Sequence, residues 1–203
     1  MPRMEVFDQL AEKYQGEHSS NPHQAALVER IAALLPAGAS VLDLGCGTGV
    51  PTAKRLTESD HRVVGVDIAE GMLRLAREQV PAAEFVRADF KDLPDDFGTF
   101  DAVTAFFSLL MLSKADIERV LDKAAGWLKP GGHLGIGMVN FDGDSLPFEF
   151  LGVPVTVSGY LEPDLKAVLE AHGFNVLSIE TVDFTPPGTP PESQIFALAQ
   201  RAA

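Results

Sequence analysis

Val41-Leu42-Asp43-Leu44-Gly45-Cys46-Gly47-Thr48-Gly49-Val50-Pro51-Thr52 holds three pieces of structure in one short run. Apolar side chains at 41, 42 and 44 mark the end of a buried parallel strand. Gly45, Gly47 and Gly49 then make a tight turn, and Thr52-Ala53-Lys54-Arg55-Leu56 continues as a helix. A strand, a glycine turn and a helix N-terminus together leave backbone N–H groups facing whatever sits above the strand. Glycines allow that ligand to approach the backbone closely, because no Cβ occupies its space. The run therefore reads as a nucleotide-type pocket.

The spacing decides which nucleotide. The dinucleotide fingerprint G-x-G-x-x-G/A needs a small third residue for close helix–strand packing. Here the spacing is G-x-G-x-G, and Val50 stands where that third residue would be. Asp43 adds a second argument: a carboxylate at the strand end suits an ammonium and a sulfonium better than a pyrophosphate. S-adenosyl-L-methionine carries both cations, and a carboxylate for the helix N-terminus. On these residues the segment resembles motif I of the class I S-adenosylmethionine-dependent methyltransferases, and the resemblance extends from about residue 38 to 199. An NAD oxidoreductase is disfavoured by Val50 and Asp43.

Two more strands end in acids. His61 to Asp67 is a buried strand, and Asp67 lies 22 residues beyond Gly45, a distance at which a carboxylate reaches the two ribose hydroxyls. Residues 84–90 form a third strand carrying Asp89 at its end. Ligands of such sheets sit at the carboxyl ends of the strands. The resemblance implies that Met72 packs on the adenine, although helix core explains a methionine there as well, and that Asp89 and the N–H of Phe90 meet the adenine. It implies a cofactor site made of Asp43, Gly45, Gly47, Thr48, Gly49, Asp67, Ile68, Met72, Asp89, Phe90 and Phe106. Tyr14, near the end of an N-terminal helix over residues 4–15, reads either as a further cofactor contact or as an amphipathic anchor. S-adenosyl-L-homocysteine would be the product.

Composition narrows the acceptor. The chain has 203 residues, a length that fits one domain, with 29 acidic against 16 basic side chains and a formal charge of −13. That balance disfavours nucleic acid, which binds through Lys/Arg contacts to phosphate. Arg74 and Arg77 share their helix face with Glu70 and Glu78 and read as a solvated face. The single cysteine, Cys46, excludes an internal disulfide, and no Cys/His cluster has metal-binding spacing, so no metal is expected. No apolar run reaches transmembrane length and Met-Pro-Arg-Met-Glu is no signal peptide, which makes a cytoplasmic protein, monomer or homodimer, the expectation.

The strand at 100–106 resembles motif IV but lacks the (Asp/Asn)-Pro-Pro-aromatic run of amino-group methyltransferases, having Ala105-Phe106-Phe107-Ser108 instead. Leu110-Met111 stands where many small-molecule relatives carry His, so the acceptor side reads as apolar. Phe107 and Asn140 leave strands at the pocket end. Residues 141–160 read as a substrate-covering insertion, with Phe148, Phe150 and Tyr160 either as pocket wall or as loop packing. His133 and two other histidines sit at strand starts or a helix end; His18, in the 1–36 lid region, is the candidate general base, against simple loop solvation. Asn21 and Pro22 open a helix to about Leu35, Ser113 caps another ending near Lys129, and Gly173 stops a third.

Strands alternating with helices predict an α/β fold with a mostly parallel sheet covered on both faces. The resemblance adds seven strands, a Rossmann-like order and an antiparallel last strand beside the sixth. The leading functional expectation is O-methylation of a small, partly hydrophobic acceptor, with no nucleic acid or membrane partner. A cofactor-binding enzyme that catalyses a cyclisation, and a non-catalytic binding module, are the alternatives.

Overall fold

The apolar runs at 40–44, 62–67 and 100–106 become neighbouring parallel strands in the computed structural model, which describes Asp8 and residues 21–186 and 191–202. Among these residues the strands are β1 (Ser40–Leu44), β2 (Arg62–Asp67), β3 (Glu84–Arg87), β4 (Phe100–Phe106), β5 (Leu128–Val139), β6 (Gly143–Phe150), β7 (Val153–Gly159), β8 (Phe174–Phe184) and β9 (Glu192–Arg201). The helices are α1 (Pro22–Leu34), α2 (Thr52–Glu58), α3 (Glu70–Gln79), α4 (Lys114–Trp127) and α5 (Glu162–Ala171). Seven strands form one sheet in the order β3-β2-β1-β4-β5-β9-β8; β9 alone runs antiparallel, between β5 and β8. The doubly wound order predicted from sequence is present, and the hairpin of β8 and β9 is its last pair.

Helix boundaries follow their caps. Asn21 Oδ1 accepts the N–H of His23 at 3.0 Å and of Gln24 at 3.2 Å, with Pro22 at the first helical position. Below that cap, Gln24, Leu27, Val28 and Ile31 recur at helical spacing and are buried. Ser113 Oγ accepts Asp116 N–H at 3.1 Å to start α4, whose buried stripe runs Ile117, Val120, Leu121, Ala124, Trp127. Two apolar layers result. Leu42 and Leu44 face the layer of α4 and Trp127, while Val41 faces the layer of Leu27, Val28, Ile31 and Leu56.

Several boundaries differ from the sequence reading. Helix α4 stops at Trp127, short of Lys129, because Leu128 already pairs with Phe100 and the register of β5 shifts before His133 pairs with Ala102. Strand β3 stops at Arg87, and Asp89 instead caps a 3-10 turn at Phe90–Asp92 by accepting Lys91 N–H at 3.1 Å. The acidic loop 92–98 turns two apolar side chains inward: Leu93 is buried, Phe97 packs on Phe100 and Trp127, and Pro94 C=O accepts the Trp127 indole N–H at 3.1 Å.

Residues 143–159 form a separate antiparallel pair, β6 with β7, outside the main sheet. Strand β6 is exposed along nearly its whole length and carries no amphipathic pattern, while β7 buries Val157, Ser158 and Gly159. Asp144 fastens it to the start of α4. Its Oδ1 accepts Lys114 N–H at 2.9 Å and the hydroxyls of Ser145 and Ser158 at 3.2 Å each. Lys114 Nζ adds an ion pair to Asp142 and lies 4.5 Å from the Tyr160 ring centroid. Replacing Asp144 by Ala should speed amide exchange across residues 143–159 while leaving the thermal midpoint of the main sheet nearly unchanged; equal exchange in both proteins would show that the anchor lies elsewhere.

Candidate active site

The three glycines adopt left-handed backbone, with φ of +70° at Gly45, +54° at Gly47 and +78° at Gly49. Gly45 is also required sterically, because a Cβ there would lie 2.3 Å from Ser108 Cβ. Ser108 in turn donates to Leu44 C=O at 2.6 Å, so the ends of β1 and β4 are stitched together across the turn. The N–H groups of Gly45 and Cys46 both reach back to Val66 C=O, at 2.7 and 3.1 Å. Asp67 completes the stitching. One of its oxygens accepts Gly47 N–H and the other Ala69 N–H, each at 2.9 Å. Burial pushes the Asp67 carboxyl above its ordinary value, opposed by hydrogen bonds from the backbone at Ala69, Gly47 and Ile68.

A cavity of about 600 Å³ lies over the carboxyl ends of the strands, within the range of small-molecule sites. Of the expected cofactor residues, Gly45, Gly47, Asp67, Ile68, Met72, Asp89, Phe90 and Phe106 line it. Of the expected acceptor residues, Phe107, Phe148 and Phe150 do. Thr48 and Gly49 lie under the turn, behind the lining. Asp43 is also beneath the wall, not on it: it is 2% exposed and takes the Thr104 hydroxyl on Oδ1 at 2.7 Å. Its Oδ2 has no partner among the described residues and is shut off from the surface. Burial, partly offset by the Thr104 hydrogen bond and reinforced by the Asp67 charge, raises the Asp43 carboxyl to about 7.

Asn140 and Tyr160 are not brought to the cavity. Asn140 turns to the neighbouring strand β9, donating from its backbone N–H to Ser193 C=O at 2.8 Å and from Nδ2 to Ser193 Oγ at 3.3 Å. Tyr160 is buried among β7, α4 and Lys114, its hydroxyl donating to Glu118 at 3.4 Å. Tyr14 and His18 lie outside the described residues. No described histidine lines the cavity; His61 meets Ala32 C=O, and His172 meets Asp122.

The lining also contains residues that the sequence reading assigned otherwise or passed over. Asn21, Gln24, Gln194 and Glu192 give the lining a second polar group, with Gln24 donating to the Thr52 hydroxyl at 3.0 Å, and Ser108, Phe141 and Phe184 also line it. Asn21 was read only as a helix cap. Glu192 and Gln194 had a signal of their own: two polar residues two apart on a face that Phe196 and Leu198 continue as core.

The carboxylates of Asp67, at the end of β2, and of Asp89, at the cap of the turn after β3, line the cavity together with Met72 and Phe90, a set that suits an adenosine with a ribose diol. The methyltransferase domain family matches residues 41–132, from the first buried strand to the start of β5. An O-methyltransferase of Aspergillus nomiae is 30% identical over 158 residues, 71% of this chain and 68% of that protein. The chain belongs to the S-adenosylmethionine-dependent methyltransferases. The 27-O-demethylrifamycin SV methyltransferase of Amycolatopsis mediterranei is 32% identical over 186 residues, 87% of this chain and 62% of its own length. Other curated relatives are longer than the part matched: the chain spans 28% of one and 54% of another. The methyltransferase fold extends over nearly the whole molecule, for a Haloferax volcanii methyltransferase solved with the Trm112 activator superposes with a TM-score of 0.74 over 98% of this chain and 96% of that one, at 19% identity. The cofactor of this methyltransferase family is S-adenosylmethionine.

Two measurements follow from the carboxylates. Asp43 ionises at about 7 in the folded protein against 3.8 ordinarily, so the empty protein binds an extra proton between those values and loses stability as pH rises from about 4 to about 7. A bound ammonium favours the ionised form, so affinity for S-adenosylhomocysteine should tighten several-fold from about pH 6 to about pH 8. Calorimetric titration of Asp43→Asn should give a flat profile over that interval. For Asp67→Ala, loss of a charge-assisted hydrogen bond should weaken the same ligand at least about tenfold.

Proposed function

We propose that this protein transfers the methyl group of S-adenosyl-L-methionine to an oxygen of a small, partly hydrophobic acceptor. The observation that carries this reading is the division of the cavity. The half over β1, β2 and β3 is polar, with Asp67 and Asp89, while the half over β4 and β5 is walled by Phe107, Leu110, Met111, Val139 and Phe141. In the polar half Asp67 holds the ribose hydroxyls, Met72 and Phe90 flank the adenine, and Asp89 with the Phe90 N–H reads its edge. The bound cofactor supplies an electrophilic methyl group. The protein's part is to hold an acceptor oxygen in line with it and to keep water out.

Relatives include proteins named as O-methyltransferases and as C-methyltransferases, which supports a carbon- or oxygen-centred acceptor of low molecular weight. The charge of −13 and the apolar half of the cavity argue in the same direction, against a polyanionic acceptor.

The test is transfer from S-adenosylmethionine carrying a ¹³C methyl group to a panel of phenols, enols and carboxylic acids. S-adenosylhomocysteine should accumulate with a product whose ¹³C resonance is that of a methoxy group. A carbon- or nitrogen-bound methyl would replace the oxygen assignment, and homocysteine product formed with no methylated acceptor would overturn the transfer itself.

A further inference from the structure

The geometry points to Glu192 as the group that holds the acceptor's hydroxyl and takes its proton, with Gln194 and Asn21 as the residues that position it. This deepens, and rests on, the O-methylation reading above.

Strand β9 enters the sheet antiparallel to β5, with Gln194 paired to Val139, so its first residues arrive at the edge where the parallel strands end. Glu192, Gln194 and Phe196 share one face of β9. Phe196 packs edge-on against Phe107 at a centroid distance of 5.8 Å, which joins this face to the apolar acceptor wall. Glu192 and Gln194 themselves line the cavity.

The three polar side chains form a chain with only one consistent direction. Asn21 Oδ1 is committed to the N–H groups of His23 and Gln24, so its Nδ2 must be the atom facing Gln194. That Nδ2 donates to Gln194 Oε1 at 2.7 Å, which turns Gln194 Nε2 toward Glu192, where it donates to Oε1 at 2.6 Å. Asn21 is 5% and Gln194 2% exposed, so water does not compete for these bonds. The chain thus ends at a carboxylate that accepts through Oε1. The Oε2 atom of Glu192 has no partner among the described residues, and no cation is paired with it there.

An acceptor-only oxygen on the wall of a largely apolar cavity calls for a donor from the ligand. The other lining carboxylates are already engaged or lie elsewhere. Asp67 takes two backbone N–H groups, Asp89 takes Lys91, and Glu149 is exposed on the β6–β7 hairpin. With no described histidine on the lining, Glu192 is the half-buried base on the acceptor side. The proton balance is complete. As the acceptor oxygen bonds to the methyl carbon, the methyl–sulfur bond breaks with its electron pair left on sulfur, and the hydroxyl proton passes to Glu192 Oε2. An ether, a thioether and a carboxylic acid result from a hydroxyl, a sulfonium and a carboxylate. The substrate class is therefore a hydroxylated, mainly apolar molecule such as a phenol or enol.

The test compares 2-naphthol with 2-methoxynaphthalene by fluorescence titration in saturating S-adenosylhomocysteine, on wild type, Glu192→Gln and Gln194→Leu. Wild type should prefer the naphthol at least about tenfold. In Glu192→Gln the new amide must accept from Gln194 through its one oxygen, which leaves N–H groups facing the ligand, and the preference should fall to within about threefold. Gln194→Leu, which leaves the buried Asn21 Nδ2 without its acceptor, should lower the thermal midpoint and also weaken naphthol several-fold; a merely structural role would lower the midpoint and keep the preference. Calorimetric affinity for S-adenosylhomocysteine should be the same in all three proteins. The proposal is overturned if wild type shows no preference for the hydroxyl or binds neither probe, if Glu192→Gln retains the preference, or if that variant loses the homocysteine ligand. Failure of the oxygen assignment is separate, being read from where the ¹³C methyl group lands.

Discussion

The carboxylate of Asp67, clamped between the N–H groups of Gly47 and Ala69, is the constraint on which the arrangement of the site depends. It fixes the glycine turn after β1 to the end of β2 and the entry of α3. Each oxygen spends one lone pair on the backbone and keeps another for a ligand. The cost is a carboxylate held away from bulk water, and it is accepted where two backbone donors offset it. Asp43, on the neighbouring strand β1, has no partner on Oδ2 among the described residues, and burial raises its carboxyl to about 7, partly offset by the Thr104 hydroxyl. Burial raises both acids, and each is opposed by its own hydrogen-bond donors.

Placement of polar groups follows from sheet order. β1 to β5 are parallel and end at one edge, so their side chains beyond the last buried residue are gathered there without any special device. The antiparallel β9 is the exception that adds a second kind of residue to the same edge: it contributes its beginning where the others contribute their ends. Polar groups therefore reach the cavity from both chain directions, and the two sets fall on opposite sides of the Phe106–Phe107 wall.

Much of this was legible in the sequence because local rules and tertiary structure agree there. The glycine spacing, the acids at 43, 67 and 89, and the caps at Asn21 and Ser113 each have a short-range physical cause and each appears at the expected place in the chain. Side-chain direction was less legible. Asp43 lies under the turn because strand alternation sends it to the face of Thr104, and Asn140 and Tyr160 turn away because Ser193 and Glu118 offer them partners far along the chain. The polar chain through Asn21, Gln194 and Glu192 joins residues 173 positions apart, a separation that no window of periodicity spans. Strand β6 was invisible for a different reason: a strand exposed on both faces carries no alternation to read.

That pair has a consequence for how such a chain diversifies. It shares no ladder with the seven-stranded sheet and is joined to it through Asp144, Asp142 and Lys114, while Leu146, Pro147 and Phe148 reach the rim of the cavity. Lengthening a connection of this kind costs little, since closure entropy grows only with the logarithm of loop length. Sequence drift is therefore least constrained at the exposed positions of β6, whereas Val157 and Ser158 of β7 are buried and Val157 packs into the main core. The cavity thus takes one wall from a pair of strands outside the main sheet and the rest from residues that the sheet itself places.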